Sequence, residues 1–299
     1  MAKKEVLMGT PAGARHREVC YLVPKGTTKF IDFACDFSHL NRKFMRQGNV
    51  FALRVEILQM DDADMTNDHS LAIWAMPNTW QIRKAWHLGF KAWRKQTAQV
   101  IQEHGIKPGR WSDFKIQYNP AHAAAGRLYP SSPVAGGGSG MSYITSGRDW
   151  SYSKVVDQDS EQDYTFTMFA HGGALATSNA FSLWTAYDTL ADQVPEDPQT
   201  TNASPFHTIL FDVGDNAGNL AIADNIENDN DNPPYPNINL WTQEQFYRIS
   251  QNGFHPQSTG FMEVPCGLLQ LTNNAAAGDI AIKVTAAAGP NEGILAERM

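Results

Sequence analysis

The sequence predicts an all-β protein built from β-sandwich modules, and three observations carry that prediction. Charged residues make up only 18% of the 299 positions, below the roughly 25% of an ordinary globular chain, and Asn, Thr, Ser, Gln and Gly take their place. Short apolar or alternating runs recur between stretches dense in Gly, Pro, Asn and Asp, the punctuation of sandwiches and barrels. Only one segment carries a long helical period.

Taken in chain order, residues 1–30 are mixed and polar, with Lys3, Lys4, Arg15, Arg17, Lys25 and Lys29 interrupted by Glu5, Glu18 and apolar positions. This is not a polybasic arm of the kind that condenses nucleic acid by neutralising phosphates. The amino-terminal stretch lacks an apolar h-region, so no signal peptide is expected. From Val50 to Met60 apolar side chains at 51, 53, 55 and 57 alternate with Arg54 and Glu56, the period of a half-buried strand. After the acidic loop Asp61-Asp62-Ala63-Asp64, a second strand spans Leu71 to Met76. Pro77 closes it because proline cannot donate to a ladder.

Asn78 or Thr79 then offers a capping oxygen for a helix from Trp80 to about Val100. Ile82, Trp86, Phe90 and Trp93 form its apolar stripe, and Trp80, Trp86, Phe90 and Trp93 are the expected core residues. Arg83, Lys84, His87, Lys91, Arg94 and Lys95 surround the stripe. Basic residues interleaved with aromatics are a nucleic-acid footprint, but a helix laid across a sheet with a solvated basic back accounts for the same pattern.

Residues 118–149 read as an extended connection rich in Pro, Ser and Gly. Strand-like runs follow at Tyr164–Ala170, Phe206–Val213, Phe261–Leu271 and Asp279–Ala286. The simplest partition is two sandwiches broken near 118–150, with one sandwich carrying long insertions as the fallback.

The net charge of −7 is unevenly spread: residues 1–155 hold 21 Lys+Arg against 12 Asp+Glu, and residues 156–299 hold 3 against 19. The halves are thus +9 and −16. Either they are two unlike solvated surfaces, or the basic half of one subunit meets the acidic half of another. Cys20, Cys35 and Cys266 lack the spacing of a disulfide framework or zinc knuckle. No apolar run reaches the roughly 18 residues of a membrane span.

Catalytic and cofactor motifs are not found. Gly137-Gly138-Ser139-Gly140-Met141 falls one residue short of a nucleophile elbow and follows no hydrophobic strand. The nine histidines form no i,i+4 pair, and no phosphate-binding glycine loop is present. The expectation is therefore a protein that is not an enzyme and carries no cofactor. One oxygen-rich run, Asp224 to Asn232, places Asp224, Glu227, Asp229 and Asp231 as calcium candidates. It lacks the spacing and terminal Glu of an EF-hand, and an ordinary exposed acidic loop is the favoured reading.

The phrases Asn41-Arg42-Lys43-Phe44-Met45-Arg46-Gln47-Gly48, Met76-Pro77-Asn78-Thr79-Trp80, Val264-Pro265-Cys266-Gly267-Leu268, Ile282-Lys283-Val284 and Gly293-Ile294-Leu295-Ala296 carry a family flavour. There the chain resembles the major capsid proteins of small tailless icosahedral bacteriophages, of the FLiP-like double jelly-roll family. The resemblance implies two jelly rolls side by side, at 1–130 with the helix and at 131–299, the boundary lying within 118–160. It implies trimers acting as pseudo-hexameric capsomers of an icosahedral virion shell assembled in the host cytoplasm. Partners would be further copies, penton or spike proteins and in some shells an internal membrane, without sequence-specific nucleic-acid binding. The length departs from the pattern: 299 residues is short for two jelly rolls and a long helix. A single jelly roll with long insertions is the fallback. Two other readings compete: a carbohydrate- or cell-surface-binding sandwich whose eight tryptophans supply stacking faces, and a hydrolase using convergent carboxylates.

Overall fold

A computed structural model describes residues 16–60, 69–131, 150–156, 163–170, 179–191, 245–251, 258–274 and 278–299. In chain order the elements are β1 (Glu18–Val23), β2 (Thr28–Asp32), α1 (Phe33–Leu40), β3 (Asn49–Met60), β4 (His69–Ala75), α2 (Trp80–His104) and α3 (Pro120–Ala125). They continue with β5 (Lys154–Val156), β6 (Asp163–Thr167), β7 (Ala180–Ser182), α4 (Leu183–Ala191), β8 (Gln245–Gln251), β9 (Ser258–Pro265), β10 (Leu268–Asn273), β11 (Ile280–Ala286) and β12 (Ala296–Arg298). The protein is mostly antiparallel β-sheet with few helices.

The strands pair in a nested order. β1 lies against β11, β2 against β10, β3 against β9 and β4 against β8, every pair antiparallel. Two further pairings, β11 with β3 and β10 with β4, join these into sheets ordered β1-β11-β3-β9 and β2-β10-β4-β8. The short β12 extends the first sheet beside β3. Both sheets therefore mix strands that precede residue 76 with strands that follow residue 244. The expected division into 1–130 and 131–299 does not separate two sandwiches, because hydrogen-bonded ladders cross it throughout.

Between the two sheets sits the main core, with Val55 and Ile282 from one sheet meeting Ile73 and Leu271 from the other. A second core covers the opposite face of the β2-β10-β4-β8 sheet. There Phe30 and Leu268 pack with Ile82, Ala85 and Trp86 of α2, Phe166 of β6, and Leu183 and Trp184 of α4. This sheet is thus apolar on both sides, which is why Leu71–Met76 reads as a continuous apolar run instead of an alternating one. The layers are sheet, sheet, and an insertion from residues 76–244 that contributes α2, α4 and the small β5-β6-β7 sheet.

The turn between β9 and β10 is exacting. Cys266 and Gly267 both hold positive φ, at 59° and 66°, and the Gly267 N–H closes the turn on Val264 C=O at 3.2 Å. The chain thereby crosses from one sheet to the other in two residues. A methyl on Gly267 would lie 3.2 Å from Ala34 N, Phe33 and Phe51. We expect Gly267→Ala to cost about 1–3 kcal/mol, combining left-handed strain with overpacking. Gly26, at φ 62° in open space, provides the comparison. Its alanine variant should show the smaller, purely conformational loss in a thermal melt.

The segment expected to be a loose connection at 118–149 is anchored over its described part. Asn119 caps α3 through its side chain, Leu128 N–H bonds Phe30 C=O at 2.7 Å, and Ser131 N–H bonds Cys20 C=O at 2.9 Å. Proline density here marks a helix start, at Pro120, as well as a loop.

Candidate functional site

Three places on the molecule carry chemistry. The first is a buried polar cluster where the insertion meets the sandwich. Asp32 ends β2 and caps α1, its Oδ1 accepting Cys35 N–H at 3.0 Å. Its Oδ2 accepts from the indole of Trp150 at 2.9 Å, the hydroxyl of Tyr152 at 3.1 Å and the amide of Gln47 at 3.3 Å. One turn along α1, Asp36 accepts the Tyr21 hydroxyl at 2.7 Å and pairs with the Arg127 guanidinium. Gln47 also grips Ile116 at both its backbone N–H and C=O.

Asp36 contacts the Arg127 guanidinium, and Asp32 lies within its field. Burial pushes the Asp36 carboxyl up to about 7 against the pull of Arg127 and Tyr21, and burial likewise raises Asp32. For Arg127 burial opposes the charge, but Asp36, Cys35 and Asp32 outweigh it and shift the group upward. Such values suit acid–base chemistry in an open site. Asp32 and Asp36 are both 0% exposed, however, and neither is among the residues that line the cleft described next. Their described contacts fasten the insertion to β1, β2 and α1.

His122 belongs to the same cluster. Its Nδ1 accepts Tyr118 N–H at 3.2 Å, its ring stacks on Phe30 at 4.8 Å, and Nε2 lies 3.4 Å from the Tyr152 hydroxyl. Tyr152 donates to Asp32, so the neutral Nε2–H tautomer fits. Burial, followed by the positive charge of Arg127, lowers the His122 pKa to about 3. A folded value below the unfolded one near 6.5 means stability present above pH 6.5 and lost progressively as pH falls toward 3. We expect the melting temperature of the native chain to fall more between pH 6.5 and 4 than that of His122→Gln. Parallel pH profiles would remove this role.

The second place is a cleft of about 560 Å3 lined by Trp93 of α2 and by Arg110, Trp111, Asp113, Lys115 and Ser153. Lys115 is 3% exposed by residue area. Its ammonium donates to Trp111 C=O at 2.6 Å and stands 4.6 Å from the centroid of the Trp150 ring. Burial lowers its pKa, with Asp113 pulling the other way. Asp113 itself pairs with Arg46 at 3.4 Å.

The third is the exposed surface of α2 and of the first sheet. Thr79 caps α2, accepting Ile82 N–H, and Gly105 in the left-handed region ends it at His104, one turn beyond the expected Val100. Trp86 is 7% exposed, and Phe90 and Trp93 are partly buried against the second core. Trp80 departs from expectation at 48% exposed. Two residues before Ile82, it points to the opposite side of the helix and meets only the Lys84 ammonium, 5.6 Å away, in the described ring contacts. Beyond Gly89 no residue of α2 is fully buried. On the first sheet Phe261 is 57% and Leu58 38% exposed.

The calcium candidates Asp224, Glu227, Asp229 and Asp231, and the expected strand at Phe206–Val213, lie outside the described residues. Among the described residues no group of three or more His, Cys, Asp or Glu side chains is arranged to hold a metal ion. None of their helices is long and apolar enough to cross a membrane. The buried cluster was not foreseen. Its one sequence signal is Asp32 four residues before Asp36 within an apolar stretch, which puts two acids on one helical face.

Comparison with known protein families, with curated proteins and with solved structures finds no match.

Proposed function

We propose that the chain is a virion coat protein, a single jelly roll with a long insertion between β4 and β8, which self-associates through trimers into an icosahedral shell. The observation that carries this reading is the nested pairing of β1 with β11, β2 with β10, β3 with β9 and β4 with β8. An antiparallel ribbon of four such pairs, rolled so that β11 meets β3 and β10 meets β4, is the jelly-roll wrapping. Viral capsid domains use this architecture, as do lectins and cupins. Of the two forms anticipated from sequence, the nested order favours one jelly roll over two.

The surface favours assembly over sugar binding. A sandwich that takes a glycan on a sheet face needs that face open; here the β2-β10-β4-β8 sheet is covered by α2 and α4, which confines that reading to the other sheet. Large exposed apolar side chains stand at separated places, Phe261 and Leu58 on one sheet and Val100 and Ile106 at the far end of α2. Several apolar contact points suit a subunit with several neighbours.

Light scattering of the purified protein, with negative-stain imaging of the same fractions, tests this. Trimers or shells are expected. Phe261→Glu should block them while changing monomer stability by no more than about 0.5 kcal/mol, as for other surface substitutions. A native protein that remains monomeric at high concentration removes the coat reading and leaves the carbohydrate-binding sandwich.

A further inference from the structure

The cleft beside Trp93 of α2 is lined by an ammonium, that of Lys115, which has no ion-pair partner among the described residues. Among the described residues Lys115 makes one hydrogen bond, to Trp111 C=O, and meets two ring faces, those of Trp150 and Phe44 at 4.6 and 5.6 Å. Among the described residues no carboxylate forms an ion pair with it, and the nearby Asp113 is engaged by Arg46. Lys115 lines the cleft, and a cation held largely out of water is completed by an anion. Two indoles line the same cavity. Trp93 is braced by Phe114 at 5.7 Å and by Phe90 at 6.1 Å, and Trp111 by His39 at 5.2 Å and by Phe44 at 6.2 Å. Arg110 stands exposed at the rim.

The surroundings extend the positive field. Residues 80–115 contain eight Lys and Arg against two acids, Glu103 and Asp113. Lys91, Arg94 and Lys95, on the exposed part of α2, flank Trp93. Aromatic platforms beside a cationic track are the combination that holds single strands, bases stacking while phosphates follow the charge. The volume, about 560 Å3, falls in the range of roughly 300–1,000 Å3 typical of small-molecule sites.

We propose that this cleft seats one nucleotide of a single-stranded nucleic acid, its base against Trp93 and Trp111 and its phosphate toward Lys115 and Arg110. The inference rests on the coat-protein reading for the source of the strand, the enclosed genome. Recognition is tolerant of sequence, since each base offers a ring face and the described charges address only phosphate.

Fluorescence anisotropy with a labelled oligothymidylate of about 15 nucleotides, at roughly 50 and 200 mM salt, tests it on the full chain. Arg110→Glu, at an exposed position, should weaken binding about tenfold or more, and Trp93→Ala should do the same. Lys115→Met should flatten the salt slope by about 0.7, the share of one single-strand phosphate. Lys25→Glu, an equal charge change at the β1–β2 turn, should leave affinity unchanged. The inference is overturned if Arg110→Glu binds like the native chain, if a duplex of equal length binds as tightly as the single strand, or if only anionic glycans bind. Light scattering on the same samples separates it from the coat reading. Shells that form without binding the strand overturn the cleft alone, whereas strand binding by a permanent monomer supports the cleft and removes the coat reading alone.

Discussion

Replacing Trp86 with alanine is expected to lower folding stability by about 3–5 kcal/mol. Its ring stacks on Phe90 at 5.3 Å and 8° and meets Phe114 edge-on at 5.5 Å. It also covers Gly48, where an added methyl would lie 2.6 Å from the indole. The position that faces the ring therefore has no side chain with which to fill a void, and a cavity would persist. The buried indole N–H has no hydrogen-bond partner among the described residues, so the expected loss is one of packing. Trp86→Phe should retain most of the stability for that reason. Urea unfolding measures both, and an unchanged midpoint for Trp86→Ala would rule out the docking of α2 on the sheet as a source of stability.

An effect of similar size is expected at Arg127. Arg127→Met strands Asp36 and Asp32 without their cation, and breaking a buried pair from one side costs about 3–5 kcal/mol. Removing both partners, as Arg127→Met with Asp36→Leu, should recover much of that loss, because charges no longer need to be held away from water. A double-mutant cycle in denaturant gives the coupling. Simple additivity of the two losses would show that the pair does not act as a unit. The raised Asp36 pKa adds a sign. Relative to the unfolded carboxyl, its contribution to stability is fully present below about pH 4 and declines as pH rises through about 7. The deficit of Arg127→Met should accordingly widen from pH 5 to pH 8.

The two kinds of local period were legible in the sequence, and the long-range order was not. β3 declared itself through alternation at 51–57, and α2 through Ile82, Trp86, Phe90 and Trp93, because each segment has one wet side. β9 and β10 looked like one run, Phe261–Leu271, since the turn between them occupies only Cys266 and Gly267. β1, β2, β5, β7, β8, β12, α1, α3 and α4 escaped notice. α1 is short and buries Phe33, Ala34, Cys35, Asp36, Phe37 and Ser38 together, so it has no polar stripe to give it a period. Pairing between β1 and β11 leaves no local trace at all, and proximity along the chain therefore suggested two modules. The buried cluster stayed hidden for a related reason: Asp32, Gln47, His122, Arg127 and Trp150 are scattered along the sequence and converge only when the insertion docks.

The nested strand order also sets a timetable for synthesis. Each strand before residue 76 waits for a partner after residue 244, so neither sheet can close until nearly the whole chain has left the ribosome. At about 5–20 residues per second, β4 would spend roughly 10–30 s without β8. During that interval the edge that β8 will fill stays open, and the second-core face of β4 has the insertion to lean on. The insertion shields β4 on one face, so α2 and its neighbours act as a temporary sheath for a half-built sandwich. A nascent chain shortened across residues 76–244 should consequently become more prone to aggregate while still being made, even where the finished sheets tolerate the deletion.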